Sequence, residues 1–265
     1  MTDAARPIGS PRDRWLTLAA LALVIALAWA YTLAGIGMGM TAAEMTAMGN
    51  PWGPAGSLPE AVRPVPWTPA YAVLVLLMWW VMMAAMMLPS ALPMLLLFAR
   101  LRQGARAEAA FAAGYLVAWG GFSLAAVGLQ WSLERLALMT PMMLLASLGL
   151  GATLLIAAGL WQFTPWKHAC LHHCRSPLDL IMHHWRPGPG GALRMGARHG
   201  MVCLGCCWGL MLLLFYGGVM NLWWIVGLSL LVLLEKLAPS GPWIARFSGA
   251  VLIAAGAALL ILLIV

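Results

Sequence analysis

The sequence predicts an all-α fold, a polytopic transmembrane helix bundle of about seven helices, and three observations carry that expectation. The 265 residues are 63% hydrophobic and only 9% charged, more apolar side chain than a water-soluble domain can bury. The apolar residues fall into long runs, several reaching the roughly 20 residues that a helix needs to cross a bilayer core. Lys and Arg gather in alternate connecting segments, which is how membrane chains record their orientation. The net charge of +7 is read in that sense, and no nucleic-acid-binding module accompanies it.

Taken in order, residues 1–14 form a polar, basic tail (Arg6, Arg12, Arg14) expected on the cytoplasmic side. A single transmembrane domain over residues 15–265 follows. Its first helix is expected over 15–35. Ala26-Leu27-Ala28 and Ala28-Trp29-Ala30 resemble signal-cleavage patterns, but the run exceeds the roughly 7–15 residues of a signal core, which favours an uncleaved helix. Residues 36–68 make an outer loop rich in Gly, Pro and Met, with Met38, Met40, Met45 and Met48 beside Glu44.

The second apolar run, 70–98, would reach roughly 43 Å as a straight helix against a core of roughly 30 Å. Kinks are expected at Pro89 and Pro93, each of which removes a backbone donor. A third helix is expected over 110–129, followed by a short amphipathic link with Glu134 and Arg135. A fourth opens at Pro141 and ends near Phe163. A cytoplasmic Cys/His loop, 164–200, leads to helices over 201–219, 222–234 and 246–265, with Asn221 in the tight turn between the first two. With the tail inside, all of the 15 Lys and Arg except Arg63 and Arg135 lie on the inner side. Thiols there stay reduced, so a disulfide framework is not expected.

Every Cys and His falls between His168 and Cys207. On a helix, residues four apart share a face, which pairs Cys170 with Cys174 and His168 with His172, next to His173. His199, Cys203, Cys206 and Cys207 follow the same periodicity at the mouth of the next helix. Two such faces joined by a basic Gly/Pro turn bring thiolates and imidazoles together, a donor set suited to zinc, Cu(I) or iron–sulfur rather than magnesium or calcium. The plain alternative is that the cysteines are small apolar packing residues.

A second soft patch lies in MWWVMMAAMMLPSALP, where Met82 and Met86, and Met83 and Met87, are spaced four apart. Thioether selects Cu(I) over harder ions, although methionine more often serves as flexible packing. With the outer methionine loop, these groups would give three soft sites at three depths, a path for a monovalent soft cation. Glu235-Lys236 reads as an interfacial pair snorkelling at a helix end, with Glu235 a proton or metal ligand only if it turns inward. No nucleophile elbow, P-loop, dinucleotide fingerprint or paired intramembrane carboxylate is present.

The chain resembles a bacterial family of predicted metal-binding integral membrane proteins of unknown function. The resemblance is carried by Met78-Trp79 with Met82, AMMLPS (85–90), TPWKHACLHHCRSP (164–177), CLGCCWGLM (203–211), GVMNL (218–222) and LEKLAP (234–239). It implies a membrane fold and metal binding, and brings no activity with it. The combined expectation is a multi-pass protein of the bacterial inner membrane that binds a soft transition metal, copper ahead of zinc, for handling or delivery. A soluble metal carrier or enzyme is the expected partner besides the bilayer. The alternatives are a membrane subunit of a metal-dependent oxidoreductase and a structural partner stapled by zinc.

Overall fold

The computed structural model describes residues 11–36, 38–48, 66–101, 104–140 and 143–264. Among them the chain is all-α, with ten helices and one isolated bridge between Met139 and Leu145. Four of the helices are long and apolar enough to cross a membrane, and five crossings result if one bent pair counts as a span. The basic tail up to residue 10, Arg63, Arg102, Pro141 and most of the outer loop lie outside the described residues.

Helix α1 (Pro11–Ala34) lies against α3 (Pro69–Arg100). Between them, α2 (Ala42–Met48) starts at a reciprocal cap: Thr41 donates its backbone N–H and hydroxyl to Glu44 Oε2, both at 2.8 Å, and Glu44 N–H returns to Thr41 Oγ1. That pairing satisfies donors that a helix start leaves orphaned. The same contacts, the backbone N–H of Thr41 first, hold the exposed Glu44 carboxyl below its ordinary range. Helix α3 begins at Thr68, which accepts from Tyr71 N–H, and runs unbroken through Pro89 and Pro93. The expected carbonyl loss at Pro89 falls on Ala85, which is fully buried in the bundle, the setting in which a missing backbone bond is tolerated.

Helix α4 (Ala105–Arg135) runs antiparallel to α3, with Trp79 donating to Gln130 at 2.8 Å toward one end and Phe98 stacked on Phe111 toward the other. The expected link at Glu134 and Arg135 is the last turn of this helix. Gln130 donates in turn to Glu134 Oε1, and Trp67 donates to Glu134 Oε2 at 2.6 Å, so the chain entering α3 is tied to the end of α4.

The most intimate packing joins α4 to α8 (Gly188–Gly217). Ala192, Gly196 and Gly200 recur every fourth residue of α8; a Cβ on Gly196 would strike the Phe111 carbonyl oxygen, and one on Gly200 the Ala118 side chain. Such small-residue stripes let backbones approach where lipid supplies no hydrophobic drive for helix association. Helices α5 (Leu148–Phe163) and α10 (Gly241–Ile264) close in the same way, Gly159 against Gly249 and Ala152 against Gly256.

The Cys/His segment departs most from expectation. It is helical: α6 (Pro165–Arg175), α7 (Pro177–His184) and the first half of α8 occupy the positions expected as loop. Thr164 explains the start. It sits in extended backbone, as the residue before a proline must, ends α5 and caps α6 by accepting from Lys167 N–H. Helices α5 and α6 therefore meet at a bend of 63°. Helix α9 (Leu222–Leu237) is capped at Asn221, as the turn was expected to be, after Gly218 at a φ of 94°.

Candidate metal centre

The α8 helix begins well before Met201, so Cys203, Cys206 and Cys207 lie midway along it and not at its mouth. All three are buried. On the helix, Cys206 and Cys207 each donate to the Cys203 carbonyl, at 3.0 and 2.9 Å. Helix α6 lies across this face because the α5–α6 bend turns it there. Its Cys174 Sγ is 3.9 Å from Cys206 Sγ, and Cys170 faces Gly205, where a Cβ would come within 2.7 Å of its sulfur.

Helix α3 supplies the other wall. Met87 Sδ lies 3.9 Å from Cys207 Sγ, so the methionine patch and the cysteine cluster meet at one place. Two of the three separate depths expected from the sequence are therefore a single sulfur-rich centre. Met82, Met83 and Met86 are buried in the same core above it. His199 lies tilted against Phe111 and Tyr115, with ring centroids 6.2 and 5.7 Å away, one helical turn before Cys203.

His172 and His173 are exposed, and His168 is half-buried. His173 Nδ1 engages the Ala169 carbonyl of its own helix at 2.8 Å. Among the described residues, no three His, Cys, Asp or Glu side chains converge on one ligating point. The Cys203 thiol lies within hydrogen-bond reach of those of Cys174, Cys206 and Cys207, so the four sulfurs form one cluster.

Three polar side chains border the sulfurs, and the sequence reading left two of them, Tyr115 and Ser90, aside. Tyr115 of α4 donates to the Met87 carbonyl at 3.2 Å and lies 3.1 Å from Cys203 Sγ. Ser90 donates to the same carbonyl at 2.9 Å. Lys236, at the end of α9, donates to Cys203 Sγ at 2.8 Å and to Ser90 at 3.1 Å.

The snorkelling reading of Glu235-Lys236 is overturned, because both side chains are buried. Glu235 points to the other side of α9 and pairs with Lys167 of α6 at 2.6 Å. Gln162 donates to Glu235 at 2.9 Å, and Arg175 donates to the carbonyls of Glu235 and Ala238 at the end of α9. These bonds fasten both ends of α6, which carries Cys170 and Cys174. The available signal was placement: Ser90 beside Pro89, Lys167 inside WKHAC and Lys236 inside LEKLAP all belong to the quoted motifs. Hydropathy alone assigns such lysines to an interface.

Fold and site together define an all-α bundle of apolar helices enclosing a thiol and thioether centre. Residues 76–259 match the family described as PpoB2 copper chaperones, and the chain belongs to that family. No curated protein and no solved structure gives a match.

Proposed function

We propose that this protein is a multi-pass copper chaperone of the bacterial inner membrane that receives Cu(I) as cargo at the buried sulfur centre and passes it to a soluble carrier or enzyme. The observation that carries the reading is the meeting of Met87 with Cys207, beside the Cys174–Cys206 pair. Neutral thioether and thiolate are soft donors, and together they suit a monovalent soft ion better than magnesium, calcium or manganese.

Burial excludes water from the centre, and the buried methionines Met78, Met82, Met83, Met86 and Met211 belong to the same contiguous core. They offer exchangeable donors between the far end of the bundle and the thiols. Helix α6 closes the opposite side, with His172 and His173 on its exposed face, where a partner would meet the ion on release. Charge distribution puts that face and the N-terminal tail in the cytoplasm, and Val265 outside.

The test is elemental analysis of the full chain purified in detergent after growth with copper. Copper should co-purify, and Cys174→Ser and Cys207→Ser should each lower it well below wild type. Zinc in place of copper, or unchanged copper in the double variant, would defeat the reading. A periplasm-dependent reporter fused after Val265 should be active, and its silence beside a working cytoplasmic reporter would reverse the orientation.

A further inference from the structure

We propose that an exposed stripe of α8, made of Arg194, Arg198 and Met201, is the docking track for an acidic soluble copper acceptor, and that it ends at the half-buried thiol of Cys170. The proposal rests on the copper-site reading above and deepens it by naming the surface and the chemistry of the partner.

Residues 194, 198, 201 and 205 follow spacings of four, three and four, so they fall on one face of α8. The stripe that packs on α4, Ala192, Gly196 and Gly200, lies on the opposite side of the helix. Arg194 and Arg198 are exposed, and Met201 is 58% exposed. The same face then passes under α6, where a Cβ on Gly205 would come within 2.7 Å of Cys170 Sγ. Gly205 follows Met201 by one turn, roughly 6 Å along the axis. The track therefore runs from two guanidinium groups, past an exposed thioether, to a thiol that is half-buried while Cys203, Cys206 and Cys207 are buried.

Depth decides between a lipid headgroup and a protein as the partner. Lys236 reaches Cys203 one residue before α9 ends at Leu237. Helix α10 begins at Gly241, with Trp243 exposed and Arg246 over its ring at 5.7 Å, as at a membrane interface. The level of Cys203 is thus the edge of the apolar layer, and α8 continues beyond it. Counted along the helix, Arg198 stands roughly 7 Å and Arg194 roughly 13 Å past that edge. A headgroup layer is roughly 5–7 Å deep, so Arg194 clears it. The exposed Arg100 of α3 and Arg106 of α4 stand at a similar height, roughly 13–15 Å beyond Ser90 and Tyr115. Among the described residues neither Arg194 nor Arg198 forms an ion pair. Arg holds carboxylates through paired hydrogen bonds, and Arg and Met are residue types that protein interfaces gather. An acidic protein surface fits this stripe.

The full chain, in phosphatidylcholine nanodiscs and loaded with Cu(I), is mixed with two synthetic peptides that carry the same Cys-x-x-Cys acceptor. One is flanked by glutamates and the other by lysines. Copper transfer, and peptide binding by fluorescence anisotropy without copper, are followed for wild type, Arg194→Gln with Arg198→Gln, and Arg194→Glu with Arg198→Glu. All three proteins should hold the same copper. Wild type should deliver to the acidic peptide about tenfold faster than to the basic one at low salt. The Gln variant should lose most of that preference and the Glu variant all of it. Equal rates in wild type, or the wild-type ratio kept in the Glu variant, would overturn the docking track and leave the copper site standing. Anionic lipid that co-purifies with wild type and is lost from the Gln variant, with transfer unchanged, would assign the arginines to headgroups and overturn it too. Failure of wild type to take up copper, with the peptides still distinguished by anisotropy, would instead remove the copper-site reading and leave the acidic docking surface.

Discussion

The Lys167–Glu235 pair offers the sharpest test of how the centre is assembled. The two side chains are 0% and 2% exposed, and their charged atoms are 2.6 Å apart. Truncating one partner of such a pair strands the other charge without water, which costs about 3–5 kcal/mol. Lys167→Met leaves the Glu235 carboxylate with only the Gln162 amide, whose own Oε1 already has no partner. Glu235→Leu leaves the Lys167 ammonium with no counter-charge. Replacing both, as Lys167→Met with Glu235→Leu, removes both charges and should recover most of the loss, because apolar substitutes for a buried pair are often neutral or better.

The assay is a double-mutant cycle in detergent, following unfolding by near-UV circular dichroism and the rate at which a bulky thiol reagent labels Cys174. Each single variant should unfold far more readily and should label faster, since α6 is held to α9 through this pair and through Arg175. The double variant should approach wild type in stability, giving a coupling of about 2 kcal/mol or more. Additive losses, or single variants as stable as wild type, would mean that the pair is solvated and α6 is fastened by something else.

Two other outcomes follow from the packing. Gly196→Ala places a methyl group against the Phe111 carbonyl oxygen, so α4 and α8 must separate; the variant should lose about 1–3 kcal/mol as an overpacked core does, read as a lower melting temperature, whereas Gly190→Ala, which meets no neighbouring atom, should not. The combined Met82→Leu, Met83→Leu and Met86→Leu protein should fold, at under about 1.5 kcal/mol for each volume-conserving change, and should bind copper offered from the basic side of oriented vesicles. It should load poorly from the far side, and equal loading from both sides would reduce those methionines to packing.

Much of this architecture is written locally. Apolar run length predicts α3, α4, α8 and α10, because a helix that buries its own backbone bonds needs only apolar side chains to be compatible with lipid. Asn221 capping α9 and the Thr164-Pro165 break follow from residues that act on their immediate neighbours. Periodicity likewise put Cys203, Cys206 and Cys207 on one side of one helix, since four-residue spacing is a property of any helix. The helical path from Gly188 to Gly200 was missed because its glycines and prolines read as a turn. In the bundle, Gly196 and Gly200 are there to admit the α4 backbone, and packing against α4 offsets their poor intrinsic propensity.

What tertiary structure alone decided is which sulfurs meet and what sits beside them. The approach of Met87 to Cys207 joins residues 120 positions apart in the chain, and it depends on the antiparallel register of α3 against α4 and the parallel register of α4 with α8. Lys236 follows the same logic. Its charge and its place at the end of an apolar run are visible in the sequence and point to an interface, where the ammonium would be hydrated. Only the convergence of α3, α4, α8 and α9 shows that water is excluded there and that the thiol of Cys203 takes its place. A sequence records the charge of a side chain, but the medium around it is built by elements far away along the chain, and that medium determines what the charge does.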